Sequence, residues 1–369
     1  MKIQKINKPP LISIIIPIYN ASLFLYNTVK SVLIQDYPNL EILLINDGST
    51  DNSKQVCNSL ITKYQNTQLK NPKTKNHHFR FIDLPHQGVS NARNRGLKEF
   101  SGTYFCFLDA DDLLTPTFIS ELYHFAIKYQ LRYVSSTYQR HIFSPNKTVS
   151  LLDQSNHKKL QQPPHKILSS SDYLYQLLNL ENGYNFCHMK LIHHSLKTTL
   201  FDSSLKVAED ALYNFVIIKN LNKVGILQKP LYIYQVHQNS TVRSYTNEYI
   251  ENYRIALQKI STYLHIQYPD QFPQLEKPLQ AFIATHLFFI LANFCCHGQN
   301  PHPQKSIRSL YKITLFYRAI YLAPLRFFSL SKALVLLCFK LRFILLLQLI
   351  GRLRSKQNRS TKPYITIRS

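Results

Sequence analysis

Three carboxylates stand close together at the end of an apolar run, and they are the strongest chemical signal in this chain. The run Tyr104–Leu108 ends in Asp109, Ala110, Asp111 and Asp112. Like charges this close repel one another, and burial at a strand end increases the repulsion. We therefore expect a hard divalent cation, Mn²⁺ or Mg²⁺, which carries a diphosphate. The alternative is that the last two aspartates cap a helix that begins near Thr115.

Polar residues also follow two other apolar runs. Tyr19 comes directly after Leu11–Ile18, and the pair Asp47 and Gly48 follows Glu41–Ile45. Both runs are too short for typical helices and have the composition of buried parallel strands. Because the carboxyl ends of parallel strands meet along one edge of a sheet, we expect the three loops to converge on one crevice.

Strands and helices alternate through the N-terminal part of the chain. The predicted strands are Leu11–Ile18, Glu41–Ile45, Phe79–Asp83 and Tyr104–Leu108. The predicted helices between them are Ser22–Gln35, Asn52–Tyr64 and Val89–Phe100. This alternation predicts an α/β fold with a mainly parallel, doubly wound, Rossmann-like sheet. Beyond Thr115 the pattern becomes mixed, with a helix near Thr117–Tyr129, a strand near Leu131–Thr137 and surface loops over 65–78 and 161–164.

The composition is that of a globular protein. Of 369 residues, 45% are hydrophobic and 17% are charged, and there are only 8 glycines, which excludes collagen-like and disordered chains. The six cysteines show no C-x-x-C spacing and stand among apolar neighbours, so we interpret them as reduced thiols in a cytosol. The first apolar run ends at Pro17 without a small-residue cleavage site, which argues against a secretory signal peptide.

The C-terminal part of the chain is cationic. The net charge is +24, and after Glu276 there are 15 Lys and Arg but no acidic residue. We place a domain boundary between residues 1–245 and a helical, basic region, 246–369. The apolar run Ala333–Ile350 has basic flanks, which predicts a helix lying on an anionic membrane surface. A spanning helix and a buried core helix are the alternatives, although Lys340 and Arg342 oppose spanning.

Taken in order along the chain, these segments resemble the family 2 glycosyltransferases, which have the A-type nucleotide-sugar-binding fold. The resemblance covers roughly Ile12–Arg243. The segments that carry it are Ser13–Asn20, Ser31–Asp51, Gln87–Gly96, Asp109–Asp112, Glu209–Asp210 and Pro230–Thr241. The chain departs from the family pattern at Asn46, where many relatives have Asp, and in the segment around Lys190, where His188 replaces tryptophan and His193 replaces arginine.

The resemblance implies a nucleotide-sugar site. Tyr19 would lie against the uracil of a UDP-sugar, and Asp47 would accept the imide N–H of that base. The other residues assigned to the site are Pro17, Gly48, Arg93, Asp109, Ala110 and Asp111. An ordinary strand-end tyrosine, a turn-forming aspartate and a surface arginine are the alternatives for Tyr19, Asp47 and Arg93.

The resemblance also implies metal ligands and a general base. Asp109, Asp111 and Asp112 would hold Mn²⁺ or Mg²⁺, and the choice between the last two as the direct ligand stays open. Asp210 would be the base that takes a proton from the acceptor hydroxyl; the alternative is that the acidic pair only begins a helix. Candidates for acceptor or phosphate contacts are Glu209, Lys190 and His237, with Tyr234 and Ser240 in the same segment as His237.

The resemblance thus predicts a metal-dependent inverting transferase with a catalytic domain over residues 1–245. It would move a sugar from a UDP-sugar to a hydroxyl of a lipid-linked glycan in the synthesis of surface polysaccharide or lipooligosaccharide. We expect it in the cytoplasm, peripheral on the inner face of the cell membrane. A basic nucleic-acid-binding protein and a nucleotidyltransferase are the alternatives. Because the positive charge accompanies an aliphatic run rather than a nucleic-acid motif, we expect no specific nucleic acid.

Overall fold

The structure is a computed structural model that describes residues 9–68, 77–143, 165–237 and 248–351. The chain divides into two compact units. The first holds the described residues up to Tyr173, together with Gly183–Ser204 and Glu209–Val236. The second holds Leu174–Asn182, Leu205–Ala208 and the described residues from His237 onward. The predicted boundary between residues 245 and 246 lies outside the described residues and stays a prediction.

The first unit contains a nine-stranded sheet with the strand order β3-β2-β1-β4-β8-β6-β9-β5, and β7 pairs with β9. The strands are β1 (Ile12–Ile18), β2 (Leu40–Asp47), β3 (His78–Leu84), β4 (Tyr104–Phe107), β5 (Leu113–Leu114), β6 (Tyr133–Ile142), β7 (His165–Ser169), β8 (Lys190–His193) and β9 (Lys223–Val236). The four predicted N-terminal strands therefore exist, each within a few residues of its expected bounds.

The parallel half of the sheet brings the predicted loops to one edge. β1 lies between β2 and β4 and is parallel to both, and β3 extends the parallel arrangement beyond β2. Every residue of β1 and β2 is buried, as the apolar runs predict. Beyond β4 the pairing is mixed, because β8 is antiparallel to β4 and β6 whereas β6 and β9 are parallel. The predicted α/β class with a parallel doubly wound part is confirmed.

Helices connect the strands of the first unit. They are α1 (Leu25–Leu33), α2 (Ser53–Gln68), α3 (Val89–Glu99), α4 (Phe118–Tyr129) and α6 (Glu209–Ile218). Helix α5 (Ser170–Leu178) begins in the first unit, and its residues from Leu174 onward belong to the second. The predicted helices match α1 to α4. The loop expected to begin at Gln65 begins later, because α2 continues to Gln68; residues 69–76 and 161–164 lie outside the described residues. All six cysteines are free and buried, as their apolar neighbours predict.

The second unit is helical. It contains α7 (Tyr249–Gln267), α8 (Phe272–Ile290), α9 (Pro303–Leu310), α10 (Thr314–Leu322) and α11 (Leu330–Lys340). Helix α8 continues into a π-helical turn, and together they cover Phe272–Cys295. Among the described residues this is the one helical stretch that is long and apolar enough to cross a membrane, with a mean hydropathy of 1.5. Since 78% of its apolar window is buried inside the protein, length and composition are weak evidence for a span.

The apolar run Ala333–Ile350 is not one helix, so that prediction is wrong. α11 ends at Lys340, Arg342 has a φ of +60°, and a second helical segment covers 344–351. A left-handed residue cannot continue an α-helix. The basic side chains at the break lie over aromatic rings. The amine of Lys340 is 4.6 Å from the ring centre of Tyr321, and the guanidinium of Arg342 lies over the ring of Tyr311. These cation–π contacts stabilise the break.

Candidate active site

A buried arginine joins three carboxylates from two distant parts of the sequence. Arg93, on α3, is 4% exposed. Its Nη1 donates to Oδ1 of Asp210 at 2.7 Å and to Oε1 of Glu209 at 3.0 Å, and its Nη2 donates to Oδ1 of Asp109 at 3.0 Å. The predicted general base, its acidic neighbour and the first aspartate of the strand-end cluster therefore meet at one guanidinium.

The charges in this cluster change one another's proton affinity. Burial opposes ionisation of Asp109, but the charges of Arg93 and His188 outweigh it and hold the pKa of Asp109 well below its usual value. Burial, and then the charge of Asp210, raise the pKa of Glu209 to about 7, although Arg93 opposes the rise. A carboxyl that titrates near neutrality therefore lies next to the predicted base.

Asp210 is held at both carboxylate oxygens. Oδ1 accepts the bond from Arg93, and Oδ2 accepts the backbone N–H of Cys187 at 3.1 Å. Its side chain is 15% exposed. The position at the start of α6 agrees with the alternative of a helix start as well as with a base. Each oxygen keeps a lone pair for an acceptor hydroxyl, since a carboxylate accepts up to about four hydrogen bonds.

Asp47 anchors the loop that leads into α3. It is 2% exposed, and its two oxygens accept the backbone N–H groups of Gln87 and Gly88, each at 2.9 Å. Gly88 has a φ of +92° and directly precedes α3, so these bonds help to fix the start of the helix that carries Arg93. In this structure Asp47 ends β2 and supports the loop before α3, and its contact with a nucleobase stays a prediction.

The ring of Tyr19 already has a partner. Tyr19 is 48% exposed, and its ring stacks on the imidazole of His86 with ring centres 4.1 Å apart and an interplanar angle of 20°. Nδ1 of His86 lies 2.9 Å from Oδ2 of Asp47. A Cβ on Gly48, whose φ is +65°, would lie 2.5 Å from the backbone nitrogen of His86. His86 is a site residue that sequence reasoning missed, although it directly precedes the Gln87–Gly96 segment.

Asn46 has a specific partner that accounts for its departure from the family pattern. It lies opposite Asp83 in the β2–β3 register, and its amide donates to Oδ1 of that residue at 2.6 Å. The hydroxyl of Ser49 donates to the amide oxygen of Asn46 at 2.6 Å. An aspartate at position 46 would place two carboxylates against each other, so the amide suits this chain.

Asp112 is bound on both sides by β9. It is 1% exposed; Oδ2 accepts the hydroxyl of Tyr232 at 2.7 Å and Oδ1 accepts the backbone N–H of Gln235 at 2.8 Å. Burial, then the charges of Asp111 and Asp109, raise the pKa of Asp112 well above its usual value. Asp112 therefore ties the strand-end cluster to β9, whereas Asp111 is only partly buried.

We expect Tyr232→Phe to lower the free energy of unfolding by about 1–3 kcal/mol, because it leaves Oδ2 of the buried Asp112 carboxyl without its hydrogen-bond donor. Chemical denaturation measures this effect. The matched control is Tyr321→Phe, whose ring is 48% exposed and for which we expect little change. Equal stability of the Tyr232 variant and the parent protein would contradict the role given to this bond.

The side chains around Asp109 have the donor set of a divalent-metal site. One ligand atom each from Asp109, Asp112 and His188 lie within 4.8 Å of one another. Nδ1 of His188 is buried, lies 3.2 Å from Oδ2 of Asp109 and makes no well-aligned hydrogen bond with the described residues. The two carboxylates suit Mn²⁺ or Mg²⁺, and the buried nitrogen without a hydrogen bond beside them could complete such a site. Sequence reasoning missed His188 as a candidate ligand, although the absence of the family's tryptophan at this position was a signal.

Lys190 is buried in this structure, and its expected contact with acceptor or phosphate stays a prediction. The side chain is fully buried, and its amine donates to the carbonyls of Phe186 and His188. Burial lowers the pKa of Lys190 to about 7, although the charges of Cys187 and Asp210 oppose the shift. Lys190 supports the loop whose backbone holds Asp210 and whose imidazole faces Asp109.

The positions of the remaining predicted residues are as follows. Pro17 is buried in β1 opposite Ile45, and the carbonyl of Ala110 accepts the hydroxyl of Thr28 at 2.8 Å. The guanidinium of Arg93 is directed to carboxylates, and its assignment to the nucleotide-sugar site stays a prediction. His237 is partly buried after β9, and Ser240 lies outside the described residues.

The family model described as Glycosyl transferase family 2 matches residues 13–198, half of the chain. The matched segment includes Asp47, Arg93 and the Asp109–Asp112 cluster. The chain belongs to glycosyltransferase family 2. This assignment confirms the predicted family and makes the protein an enzyme that transfers sugars.

Curated relatives and solved structures agree with this assignment. The glycosyltransferase is 26% identical over 370 residues to the uncharacterized glycosyltransferase EpsJ of Bacillus subtilis (strain 168), covering 96% of this chain and 99% of EpsJ. It is 28% identical over 241 residues to the minor teichoic acid biosynthesis protein GgaB of the same organism, covering 62% of this chain but only 23% of GgaB. The crystal structure of S. aureus TarS 1–349 in complex with UDP has a TM-score of 0.58 at 17% identity, covering 96% of this chain and 92% of that one, which shows the shared fold.

Proposed function

We propose that this glycosyltransferase moves a sugar from a UDP-sugar to a hydroxyl of a glycan acceptor, with inversion at the anomeric carbon. The observation that carries the proposal is the cluster in which Arg93 holds the predicted base Asp210 against Asp109. The donor class is supported by the fold neighbour TarS, which has been solved in complex with UDP and with UDP-GlcNAc. Tyr19 is an exposed ring at the end of β1 and suits a flat base.

In this reaction Asp210 accepts the proton of the acceptor hydroxyl while that oxygen attacks C1 of the sugar. The new C1–O bond forms as the bond from C1 to the phosphate oxygen breaks, and UDP leaves with the electron pair. A single displacement from the face opposite the leaving group inverts C1. Arg93 and the backbone N–H of Cys187 fix the orientation of the base, and rigid placement of this kind is itself a large part of catalysis.

We further propose that Mn²⁺ or Mg²⁺ binds at Asp109 with help from Asp111 or Asp112 and from His188. A bound divalent cation would neutralise charge that develops on the departing UDP. Two observations disagree on the choice of aspartate: the ligand atoms that lie together include Asp112, yet both oxygens of Asp112 already accept hydrogen bonds. We assign Asp111 as the direct ligand because it is only partly buried, whereas Asp112 is 1% exposed and is tied to β9 as the support of the site.

This assignment predicts different outcomes for two substitutions. Asp111→Asn should weaken Mn²⁺ binding at least about tenfold without a change in unfolding, because it removes an anionic ligand at a partly buried position. Asp112→Asn should lower the unfolding free energy by about 1–3 kcal/mol, because one buried partner of Asp112 then faces an amide N–H. Calorimetric titration with Mn²⁺ and denaturation of the same samples measure both effects. The reverse pattern would make Asp112 the direct ligand.

We also propose a lipid-linked acceptor in the synthesis of a surface polysaccharide or lipooligosaccharide, and a cytoplasmic location on the inner face of the cell membrane. The relative GgaB, a minor teichoic acid biosynthesis protein, supports an acceptor that belongs to the cell surface. The cationic C-terminal region, with no acidic residue after Glu276, supports contact with an anionic membrane.

The proposal is tested by measuring UDP release from UDP-Glc, UDP-Gal, UDP-GlcNAc and UDP-GalNAc, with and without lipid-linked acceptors and Mn²⁺. We expect one donor to be preferred and its turnover to need the metal. Release from GDP- or CDP-sugars at a higher rate than from every UDP-sugar would contradict the proposed donor class.

A further inference from the structure

Helix α11 presents a row of leucines that the described part of the protein does not cover. Leu330 is 88% exposed, and the other leucines of this row are also exposed. They stand at the spacing of one helical face: Leu330, Leu334, Leu337 and Leu341. The opposite face packs into the second unit through Leu336, Cys338 and Phe339. The helix is thus anchored by one apolar face and exposes another.

The segment after the break extends this surface. Leu347 is 3% exposed, whereas Leu345 is 73% exposed, so the segment also directs some leucines inward and others outward. The outward apolar side chains are Phe343, Leu345, Leu346 and Leu349. We name the exposed leucines of α11 and these four residues the C-terminal apolar face. Scattered exposed leucines are ordinary, but eight exposed large apolar side chains within twenty residues indicate a binding surface.

The charge around this face is positive and largely unpaired. Among the described residues after position 276, only Arg318 and Lys332 lie within ion-pair distance of a described carboxylate. Arg326, Lys340 and Arg342 belong to the same stretch of chain as the apolar face and have no such partner in the described part of the structure. We therefore expect the partner that binds this face to have both an apolar interior and a negatively charged surface.

We infer that the C-terminal apolar face inserts into the interface of a bilayer that contains anionic lipids. A second copy of the chain would bring two cationic regions together, and the chain's own segment 352–369 contains six Lys and Arg and no acidic residue, so both would be repelled. Only a membrane supplies acyl chains and negative headgroups together. This inference adds to the proposed function the surface that binds the membrane. It rests on the proposed function only for the identification of the bilayer as the cell membrane.

The test uses the full-length protein and flotation with vesicles of phosphatidylcholine alone or with one-third phosphatidylglycerol. We expect at least tenfold stronger partitioning onto the anionic vesicles, decreasing with added salt. The double variant L345E/L349E should lose at least tenfold of that partitioning. The matched control is Ile266→Glu, on α7 of the same unit and 61% exposed, which should float like the parent protein.

Three results would overturn the inference. The first is equal flotation of the double variant and the parent protein, and the second is equal partitioning onto neutral and anionic vesicles. The third is a concentration-dependent dimer that the double variant dissociates, which would assign the face to a second copy. UDP binding, measured on the same samples, should be unchanged in every variant. A failure of UDP binding in all proteins would instead count against the proposed function, so the two failures are distinguishable.

Discussion

Asp210→Asn should reduce the turnover number for sugar transfer about 10³-fold and leave UDP binding within a factor of about three. The amide keeps the shape of the side chain but cannot accept the proton of the acceptor hydroxyl, and removal of a general base typically costs 10²–10⁴-fold. The nucleotide is expected beside Tyr19 and the strand-end aspartates, so its affinity should not depend on the base. Steady-state transfer rates and calorimetric titration with UDP measure the two effects.

Glu209 and an exposed aspartate provide the controls for this result. Glu209→Gln removes a carboxyl whose pKa is raised to about 7, and we expect it to change the pH profile of transfer more than the maximal rate. Asp270→Asn, at an exposed position between α7 and α8, should have no effect. Turnover of the Asp210 variant within tenfold of the parent protein would contradict its assignment as the base.

Arg93→Met should be the most destabilising of the proposed substitutions. The guanidinium is the shared partner of Asp109, Glu209 and Asp210, and removing one partner of a buried ion pair costs about 3–5 kcal/mol of unfolding free energy. Transfer activity should decrease as well, because Asp210 loses the donor that orients it. Denaturation at several pH values and transfer assays measure these effects.

The pH dependence of this variant has a defined sign. In the parent protein the folded pKa of Asp109 is lowered, so its contribution to stability is present above the unfolded pKa of about 4 and is lost as the pH falls. Without Arg93 the buried carboxylates favour protonation. The loss of unfolding free energy in the variant, relative to the parent protein, should therefore be largest near pH 7 and smaller near pH 5. Arg95→Met, on the same helix but 46% exposed, is the matched control. A deficit that grows toward low pH would contradict the account.

Much of the fold follows from local sequence. Ile-rich runs predict buried strands, and the polar residues that follow them predict which edge of the sheet carries the site. The ion pair between Arg93 and Asp210 could not be predicted in this way, because the two residues are 117 positions apart in the sequence. Only the packing of α3 against the sheet brings them together. The stacking of His86 on Tyr19 likewise depends on the path of one loop.

Two other differences between the predicted and the observed structure have specific physical causes. Hydropathy alone joins Ala333–Ile350 into one helix, but cation–π contacts of the basic side chains and the left-handed Arg342 divide it. The sequence did not predict the burial of Lys190, because lysines are rarely buried. This burial depends on the two backbone carbonyls that accept hydrogen bonds from the amine. In both cases the deciding contact involves residues that are not part of a periodic pattern.

The anomeric configuration of the product tests the central claim most directly. The enzyme would be given an α-linked UDP-sugar and its acceptor with Mn²⁺, and the coupling constant of the new anomeric proton would be measured by NMR. A single displacement assisted by Asp210 predicts a β-linked product together with UDP, formed about 10³-fold more slowly by Asp210→Asn. An α-linked product would contradict the account, because it requires retention and hence a different role for this carboxylate.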